Sequence, residues 1–273
     1  MSVSKAPLRI RIQIALMRRL TLLLRVLGLR EEVIRRRRVR AWRRRQAAGR
    51  DDPRSHPALH DMDYKLDALL DRDNGFFVEA GANDGYTQSN TYWLERFRGW
   101  RGILVEPVPA YAAECQVGRP DATVVQAALV PFDFEDETIT MHFGDLMSTV
   151  RGAHGDEAAD RAWVGPGLVL GWYDAHEEEV PARTLTSILD ELDAPEIDLL
   201  SLDVEGYEPF VLRGLDLDRH APRWLLVEMH DLEKGRAEIA EIIGDRYVEH
   251  GTLSPLDVLY RRRDVATPDS NSS

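Results

Sequence analysis

The segment that most constrains the fold is residues 74–89, which read NGFFVEAGANDGYTQS. Within it, an apolar run at residues 76–78 ends at Glu79, and a loop of small and polar residues follows from Gly81 to Gly85. This pattern predicts a buried parallel strand that leads through a tight turn into a helix. Because open α/β sheets bind their ligands at the carboxyl ends of the strands, the segment also predicts a cofactor site.

Strand and helix patterns alternate along most of the chain. Strands are predicted at residues 76–79, 102–107, 122–128, 197–203 and 224–228, with an edge strand at 138–143 and an antiparallel pair at 246–250 and 256–261. Helices are predicted at residues 62–71, 89–97, 111–118, 185–192, 209–214 and 237–243. Strands that alternate with helices and end in a hairpin indicate an α/β fold with a doubly wound sheet.

Charge is distributed unevenly between an N-terminal arm, residues 1–50, and the rest of the chain. The arm holds sixteen Lys or Arg against two Glu, whereas the remainder holds 19 basic and 45 acidic residues. An acidic body argues against nucleic acid as the main partner, because phosphate backbones require a basic surface on the domain that binds them. We interpret the arm as an interaction segment attached to a folded domain.

Residues 8–29 of the arm have helical periodicity, with leucines on one face and arginines opposite, which predicts an amphipathic helix. Arg18 and Arg19 interrupt the apolar run and argue against a membrane-spanning segment. Three interpretations of the arm stay open: packing on its own domain or another subunit, peripheral attachment to anionic lipid, and nucleic-acid contact through arginines at 35–38 and 43–45.

The domain boundaries follow from composition. We predict a linker at 51–61, a folded domain at 62–264 with an insertion or lid at 144–180, and a disordered tail at 265–273. Cys115 is the single cysteine, which excludes an internal disulfide and fits a reducing compartment. A cytoplasmic location is therefore expected, with peripheral membrane attachment if the arm binds lipid.

Three predicted strands end in acidic residues: Glu79, Glu106 and Asp203. Glu106 follows Gly81 by 25 positions, where a ribose-binding acid belongs, and a carboxylate can accept both hydrogen bonds of a vicinal diol. The dinucleotide fingerprint G-x-G-x-x-G is absent, because Asn83 stands where its second glycine would be. A Walker A lysine is absent too. A nucleoside cofactor is therefore predicted, and NAD and ATP are disfavoured.

Five segments resemble, in the same order, the motifs of the FkbM family of S-adenosylmethionine-dependent methyltransferases. They are VEAGANDGYTQSNTYWLE, GILVEPVPAY, RTLTSILDEL, IDLLSLDVEGYEPFVLRGL and WLLVEMH, within residues 74–262. The resemblance implies a Rossmann-like class I methyltransferase fold, whose seven-stranded, mostly parallel sheet has an antiparallel last strand. It also implies methyl transfer, usually to a hydroxyl oxygen of a sugar, a polyketide or a related small metabolite.

The resemblance implies roles for individual residues around S-adenosylmethionine. Those expected at its methionine part are Glu79, Gly81, Asn83, Asp84 and Gly85. Glu106 is expected to bind the ribose hydroxyls, and Gln126 and Ala127 to border the adenine. Family members often have Asp where this chain has Glu79, and the longer side chain keeps the charge while shifting the loop.

Two pairs of polar residues follow the strands at 197–203 and 224–228: Asp203 with Glu205, and Glu228 with His230. Adjacent parallel strands would bring both pairs to one edge, where an acceptor hydroxyl must lose a proton. His230 is the preferred general base, because a neutral imidazole accepts protons near pH 7. Capping of the next helix is an alternative role for Glu205. A magnesium ion on Asp203, Glu228 and waters is compatible with the sequence but not required.

The insertion at 144–180 contains aromatic and hydroxyl residues suited to an acceptor. Candidates for an apolar lid are Trp163, Trp172 and Tyr173, and candidates for hydrogen bonds to the acceptor are Ser148 and Thr149. The alternative is that these aromatic residues pack the insertion onto the domain. Three histidines without metal-ligand spacing are expected to face solvent: His142, His154 and His176.

Two other functions compete with an O-methyltransferase. One is a nucleotide-sugar or NAD-linked enzyme built on the same sheet, which the missing glycine pattern disfavours. The other is a non-enzymatic membrane-surface or scaffold protein that keeps a methyltransferase-like domain and binds anionic vesicles through residues 1–50.

Overall fold

The computed structural model describes residues 30–144, 147–170 and 176–266, and within them the chain forms two β-sheets. The strands are β1 (Phe76–Ala80), β2 (Arg101–Val105), β3 (Ala122–Val125), β4 (Ala128–Leu129), β5 (Thr138–His142), β6 (Thr149–Val150), β7 (Glu177–Arg183), β8 (Leu199–Leu202), β9 (Trp224–Glu228), β10 (Tyr247–Thr252) and β11 (Asp257–Arg262). The helices are α1 (Arg30–Gln46), α2 (Met62–Leu70), α3 (Tyr92–Arg98), α4 (Pro109–Gly118), α5 (Glu157–Leu170), α6 (Leu185–Glu191), α7 (Glu208–Arg213), α8 (Leu217–His220) and α9 (Leu232–Ile243).

The larger sheet has seven strands in the order β10-β11-β9-β8-β1-β2-β3. Strands β3, β2, β1, β8 and β9 run parallel to one another. The last strand of the chain, β11, lies between β9 and β10 and is antiparallel to both. The predicted seven-stranded sheet with an antiparallel last strand is confirmed.

Side chains of the central strands alternate between two apolar cores, one on each face of this sheet. Val78, Ile103 and Leu200 are register partners and share one core. Their neighbours Phe77 and Leu199 point to the other. Successive side chains of a strand point to opposite faces, so a parallel strand covered by helices on both sides must be apolar throughout. This requirement explains the uninterrupted apolar runs in the sequence.

The smaller sheet has the order β4-β7-β5-β6 and corrects two sequence expectations. The strand predicted at 122–128 is divided, because β3 ends at Val125 in the large sheet whereas β4 pairs with β7. The strand predicted at 138–143 is not an edge strand, since β5 pairs with β7 on one side and β6 on the other.

The segment 144–180 contains more regular structure than its irregular sequence pattern suggests. It includes β6, helix α5 and the first residues of β7. The acidic run at 177–179 forms a strand because β5 supplies its hydrogen-bonding partner, in the register Met141 with Glu178. Pairing with a distant strand overrides the weak strand propensity of glutamate.

Residues between the arm and α2 pack on the folded domain. The segment 51–61 forms two short 3-10 turns, Pro53–Ser55 and Leu59–Asp61. Its His56 ring stacks on Tyr64 and Trp93, with ring centroids 4.0 and 4.2 Å away. The helix predicted at 8–29 and residues 267–273 of the predicted tail lie outside the described residues.

None of the helices within the described residues is both long enough and apolar enough to cross a bilayer.

Candidate active site

A cleft lies at the carboxyl ends of β1, β2 and β8, the position predicted from the strand pattern. The space between its walls amounts to about 910 Å³, part of which is open to solvent. Met141 and Val150 of the small sheet form an apolar wall, whereas Glu79, Glu106 and Asp203 supply carboxylates. The cleft is therefore apolar on one side and acidic on the other.

Gly81 allows the loop after β1 to pass between the ends of the neighbouring strands. Its φ is +84°, and a Cβ atom at this position would lie 1.7 Å from the main-chain oxygen of Asp203. Its N–H donates to the carbonyl of Val105 at 3.0 Å, which ties the loop to β2. A residue without a side chain is required here, because both the backbone angle and the space exclude one.

Glu106 lies at the end of β2 and is 5% exposed. Its Oε2 accepts a hydrogen bond from the N–H of Asn83 at 2.8 Å, and its Oε1 accepts one from the N–H of Val108, also at 2.8 Å. Burial raises the pKa of this carboxyl group to about 7. Each carboxylate oxygen can accept more than one hydrogen bond, so both retain capacity for a ligand.

Glu79 lines the same cleft, but its oxygens already serve the following loop. They accept hydrogen bonds from the Asn90 N–H at 2.9 Å, the Ser89 hydroxyl at 2.9 Å and the Thr91 hydroxyl at 2.5 Å. The guanidinium of Arg119, which is 1% exposed, lies 3.5 Å away. Glu79 therefore shapes the wall of the cleft by fixing this loop to the strand end.

Five residues expected at the cofactor line the cleft, and three do not. Those that line it are Glu79, Gly81, Asn83, Glu106 and Ala127. Asp84 turns away, since its carboxylate accepts the N–H groups of Tyr86 and Thr87 and closes the turn. Gly85 packs against helix α4, where an added Cβ would lie 3.2 Å from Cys115 Sγ. Gln126 is exposed and reaches only the carbonyl of Pro107, at 3.5 Å.

The residues predicted to be catalytic come together in what we call the acid–histidine cluster: Asp203, Glu205, Glu228 and His230. His230 Nε2 lies 3.5 Å from Glu205 Oε2 and 3.4 Å from Glu228 Oε2. Asp203 and Glu228 contact each other by a side-chain hydrogen bond, and burial together with the neighbouring carboxylates raises the pKa of both groups. Because Asp203 and Glu228 lie side by side, ionising both is unfavourable, and the pair holds one shared proton to a higher pH than an isolated carboxyl group would.

His230 is exposed, and the hydrogen bond with the Glu205 carboxylate raises its pKa. This shift favours the imidazolium form. It runs against the expectation of a neutral imidazole that acts as general base near pH 7.

Glu205 does not cap helix α7, contrary to the alternative considered for it. The N-cap residue of α7 is Tyr207, with no side-chain capping hydrogen bond. Glu208 accepts the N–H groups of Val204 and Gly206 in the preceding turn, at 2.9 and 3.2 Å. The backbone of Glu205 has a φ of +55°, and its Oε2 accepts a hydrogen bond from the indole N–H of Trp163 at 3.1 Å. This turn conformation directs the carboxylate toward the cluster.

Trp163 covers the acid–histidine cluster from helix α5. Its ring packs edge-on against His230, with centroids 4.5 Å apart, and stacks on His154 at 4.4 Å. Trp172 and Tyr173, the other lid candidates, lie outside the described residues. Ser148 lines the cleft, whereas the Thr149 hydroxyl is buried and donates to the carbonyl of Glu205 at 3.1 Å.

Two of the histidines expected to face solvent are buried or half-buried around Asp160. His142 is 4% exposed, with Nε2 3.9 Å from Asp160 Oδ2, and His154 Nδ1 lies 3.2 Å from Asp160 Oδ1. His176 is exposed as expected. The correction follows from α5, which brings a fully buried aspartate beneath the small sheet.

Several residues of the site carry no signal in the sequence. Ser201 and Tyr207 line the cleft, although each reads as part of an ordinary strand or turn. Arg119 is buried, and it donates to Glu95 Oε2 at 2.6 Å and to the Gly85 carbonyl at 3.0 Å. An arginine after a helix normally suggests a solvated end, and only the buried acids of other elements reveal its role.

The fold and the site define a Rossmann-like protein with a ligand cleft at the carboxyl edge of a class I methyltransferase sheet. The family model described as "Methyltransferase FkbM domain" matches residues 79–250. This match covers more than half of the 273 residues, so the chain belongs to the FkbM methyltransferase family.

Individual relatives are distant. A protein named "Methyltransferase 1" from Beauveria bassiana is 27% identical over 175 residues, which cover 57% of this chain and 63% of that protein. A precorrin-6y C5,15-methyltransferase structure from Geobacter metallireducens is 12% identical with a TM-score of 0.38, over 74% of this chain and 87% of that one. A TehB-like SAM-dependent methyltransferase from Corynebacterium glutamicum is 11% identical with a TM-score of 0.39, over 82% and 96%.

Proposed function

We propose that this protein transfers the methyl group of S-adenosylmethionine to a hydroxyl oxygen of a sugar, a polyketide or a related small metabolite. Membership of the FkbM family supports methyl transfer. The observation that carries the proposal is the acidic cleft, in which Glu106 ends β2 beside the Gly81 loop.

The residues of the cleft fit the cofactor by charge and by hydrogen bonding. Each carboxylate oxygen of Glu106 accepts one main-chain N–H, from Asn83 or Val108, and can accept a further hydrogen bond. The two oxygens can therefore each bind one hydroxyl of a ribose diol. Glu79, Asp203 and Glu205 add negative charge around the same space. A sulfonium cation is favoured there, and when bound it supplies an electrophilic methyl group.

The same charge pattern weighs against the NAD-linked or nucleotide-sugar alternative. Within the part of the chain that the structure describes, neither lysine nor arginine lines the cleft. A pyrophosphate group would have to sit among these carboxylates without a cation to compensate it, and Coulomb repulsion disfavours that arrangement.

We assign the proton acceptor of the reaction to Asp203. Asp203 and Glu205 are the members of the acid–histidine cluster that line the cleft, so an acceptor hydroxyl bound beside the cofactor meets their oxygens. Asp203 is preferred because burial and the neighbouring carboxylates raise its pKa, which makes its ionised form a stronger proton acceptor, whereas Glu205 receives the Trp163 indole N–H and lies beside His230. In-line positioning of the hydroxyl against the methyl carbon supplies the remainder of the acceleration.

A ligand-dependent melting experiment tests the cofactor assignment. S-adenosylmethionine and S-adenosylhomocysteine should raise the melting temperature of the full chain, whereas NAD and UDP-sugars should not. Glu106→Ala should abolish the shift, and Glu191→Ala, an exposed glutamate outside the cleft, should preserve it. A folded wild-type protein that shows no shift would reject the proposal.

A labelling experiment tests the acceptor. Methyl-labelled cofactor is incubated with the protein and a metabolite extract, and the product is identified by mass spectrometry and NMR. A methoxy carbon in the product is expected. Label on a nitrogen or carbon atom of the product would reject O-methylation but would still support methyl transfer. Cofactor binding without any transfer of label would favour the non-enzymatic scaffold alternative.

A further inference from the structure

We propose that Glu205, Glu228 and His230 form a binding site for one divalent transition-metal ion beside the cofactor cleft. Each residue offers one ligand atom, and these atoms all lie within 4.8 Å of one another. The three residues come from two strand ends, since Glu205 follows β8 whereas Glu228 and His230 lie at the end of β9. Metal binding at this point requires no cofactor, so the inference goes beyond the proposed methyl transfer.

The spacing of the donor atoms matches the coordination shell of a small cation. His230 Nε2 is 3.5 Å from Glu205 Oε2 and 3.4 Å from Glu228 Oε2. Ligands bound at ~2.1 Å are ~3.0 Å apart at adjacent octahedral positions and ~3.4 Å apart at tetrahedral positions. The two histidine–carboxylate separations therefore already match adjacent ligand positions around one ion, and the two carboxylates, which lie within 4.8 Å of each other, would move together on binding.

One oxygen of Glu228 gives a second indication that this cluster binds a ligand. Glu228 Oε2 is shielded from solvent and makes no hydrogen bond. The His230 ring nitrogen, 3.4 Å away, is the cationic group beside it, and this ring also faces Glu205. Buried carboxylate oxygens in proteins are nearly always hydrogen-bonded or bound to a metal. Because His230 lies between Glu205 and Glu228, it does not fully satisfy this oxygen of Glu228.

Charge around the site points the same way. Asp203 contacts Glu228, and the buried Glu208 is near enough to interact electrostatically with both Asp203 and His230. Four acidic side chains thus surround one imidazole. The indole N–H of Trp163 hydrogen-bonds Glu205 but brings no net charge. A divalent cation would balance the excess negative charge of these carboxyl groups. The Trp163 indole would then hold its ligand Glu205 in position.

The donor set selects the class of ion. Magnesium and calcium prefer shells of oxygen alone, whereas the imidazole suits Fe²⁺ and Zn²⁺ and the two carboxylates also suit Mn²⁺. A magnesium ion held by Asp203, Glu228 and waters, which is compatible with the sequence, is less well supported than a transition metal that includes His230. Three protein ligands leave positions open for water or for an acceptor oxygen.

Titration of the metal-stripped full chain with Mn²⁺ at pH 7.5, followed by calorimetry and by the loss of the free-ion EPR signal, tests the site. We expect one ion per chain. Glu228→Gln and His230→Ala should each weaken binding by more than about tenfold, because even outer-shell changes cost about 10–100-fold. Zn²⁺ should compete for the site, and Mg²⁺ should compete only weakly.

His220→Ala is the matched control. His220 Nε2 lies 2.8 Å from Asp190 Oδ1, so this variant removes another histidine–carboxylate pair that lacks the third ligand. Its affinity for Mn²⁺ should equal that of the wild type. Melting curves without metal verify that each variant is folded, and Glu205→Gln provides a third ligand variant if Glu228→Gln is unstable.

The outcomes separate this inference from the proposed function. Absence of Mn²⁺ and Zn²⁺ binding to the wild type, or binding that all three ligand variants retain, would overturn the metal site. The cofactor melting shift is measured on the same metal-free protein. If a metal binds but S-adenosylmethionine does not raise the melting temperature, the metal site is supported and the methyltransferase proposal is rejected. If S-adenosylmethionine raises the melting temperature but no metal binds, the methyltransferase proposal is supported and the metal site is rejected.

Discussion

The β1–β2 side of the cleft and its β8–β9 side both present carboxylates, but these are held in different ways. Glu106 and Glu79 receive hydrogen bonds from main-chain N–H groups close in sequence, at Val108 and Asn90. The acid–histidine cluster of the other side contains carboxyl groups that contact one another and share a single imidazole. The first arrangement is complete without a ligand, whereas the second calls for a positive partner.

This difference indicates that the two sides of the cleft have different functions. A carboxylate fixed by main-chain donors is already oriented, which suits the binding of a cofactor that must enter and leave. Carboxylates crowded together have unbalanced charge, which suits proton transfer and cation binding. Five predictions, arranged from the largest expected effect to the smallest, test how the two sides differ.

Asp203→Asn should have the largest effect on activity. Removing a proton acceptor typically reduces the turnover number by about 10²–10⁴-fold, whereas the cofactor melting shift should fall far less, because Glu106 is untouched and only one of the acids around the cleft is lost. Steady-state kinetics with the identified acceptor measure the loss. Asp190→Asn, outside the cleft, serves as control and should keep full activity. Equal loss of turnover and cofactor binding would mean that the two sides are not separable.

Gly81→Ala should destabilise the fold where the two sides meet. The added Cβ would lie 1.7 Å from the main-chain oxygen of Asp203, so the cost combines backbone strain and overlap, about 2–4 kcal/mol in urea unfolding. Gly152→Ala separates these contributions, because Gly152 has a similar φ of +88° but nothing within 4 Å. It should cost about 1–2 kcal/mol. Equal losses would show that the close approach of β1 and β8 is unimportant.

Glu106→Gln should weaken S-adenosylmethionine binding by about 10–100-fold, because hydrogen bonds to a charged group contribute about 1.5–3 kcal/mol. The wild-type affinity should rise about tenfold between pH 6 and pH 8, since the pKa of Glu106 is about 7 and the ionised form accepts both ribose hydroxyls. Calorimetry at several pH values measures both effects. In the Gln variant this part of the pH dependence should disappear, and an unchanged profile would exclude Glu106 as the ribose ligand.

The stability of the unbound protein should respond to Glu106 with the opposite sign. The folded state holds its proton up to about pH 7, whereas the unfolded chain releases it near pH 4.5. The folded state thus binds more protons in this window, and the Glu106 contribution to the free energy of unfolding declines as the pH rises. Urea unfolding of wild type and Glu106→Gln across pH 4.5–7 should show a flatter profile for the variant.

Trp163→Phe should have the smallest effect, confined to the β8–β9 side. It keeps an aromatic ring but removes the 3.1 Å hydrogen bond to Glu205, worth about 0.5–1.5 kcal/mol. Turnover and Mn²⁺ affinity should fall about three- to tenfold, with cofactor affinity unchanged. In Trp42→Phe, the indole N–H that is lost has no hydrogen-bond partner, so neither quantity should change. A change in cofactor affinity in Trp163→Phe would contradict the separation.

The elements that sequence reasoning identified correctly are those whose signals are local. Strands β1, β2, β8 and β9 are mostly apolar because both of their faces are buried, and the acids at their carboxyl ends reach one edge because parallel strands end together. Glu79, Glu106 and Asp203 could be assigned to one cleft for this reason.

The remaining features depend on partners far away in the sequence. Asp84 and Gly85 belong to the same motif as Gly81, but the turn directs one toward its own backbone and the other toward helix α4. Pairing of β5 with β7 builds the small sheet from a segment with no clear period. Arg119 appears in sequence as an ordinary helix end, and only the fold surrounds it with buried acids.

The sequence by itself determined the central sheet and the acids at its edge, because burial on both faces and a glycine turn leave a local pattern. Tertiary structure decided which carboxylates accept hydrogen bonds from main-chain N–H groups and which lie in contact with other carboxyl groups. It also placed Trp163 over His230 and Glu205. The physical reason is that charge balance and hydrogen bonding in a site depend on distances between elements, and no spacing along the chain encodes those distances.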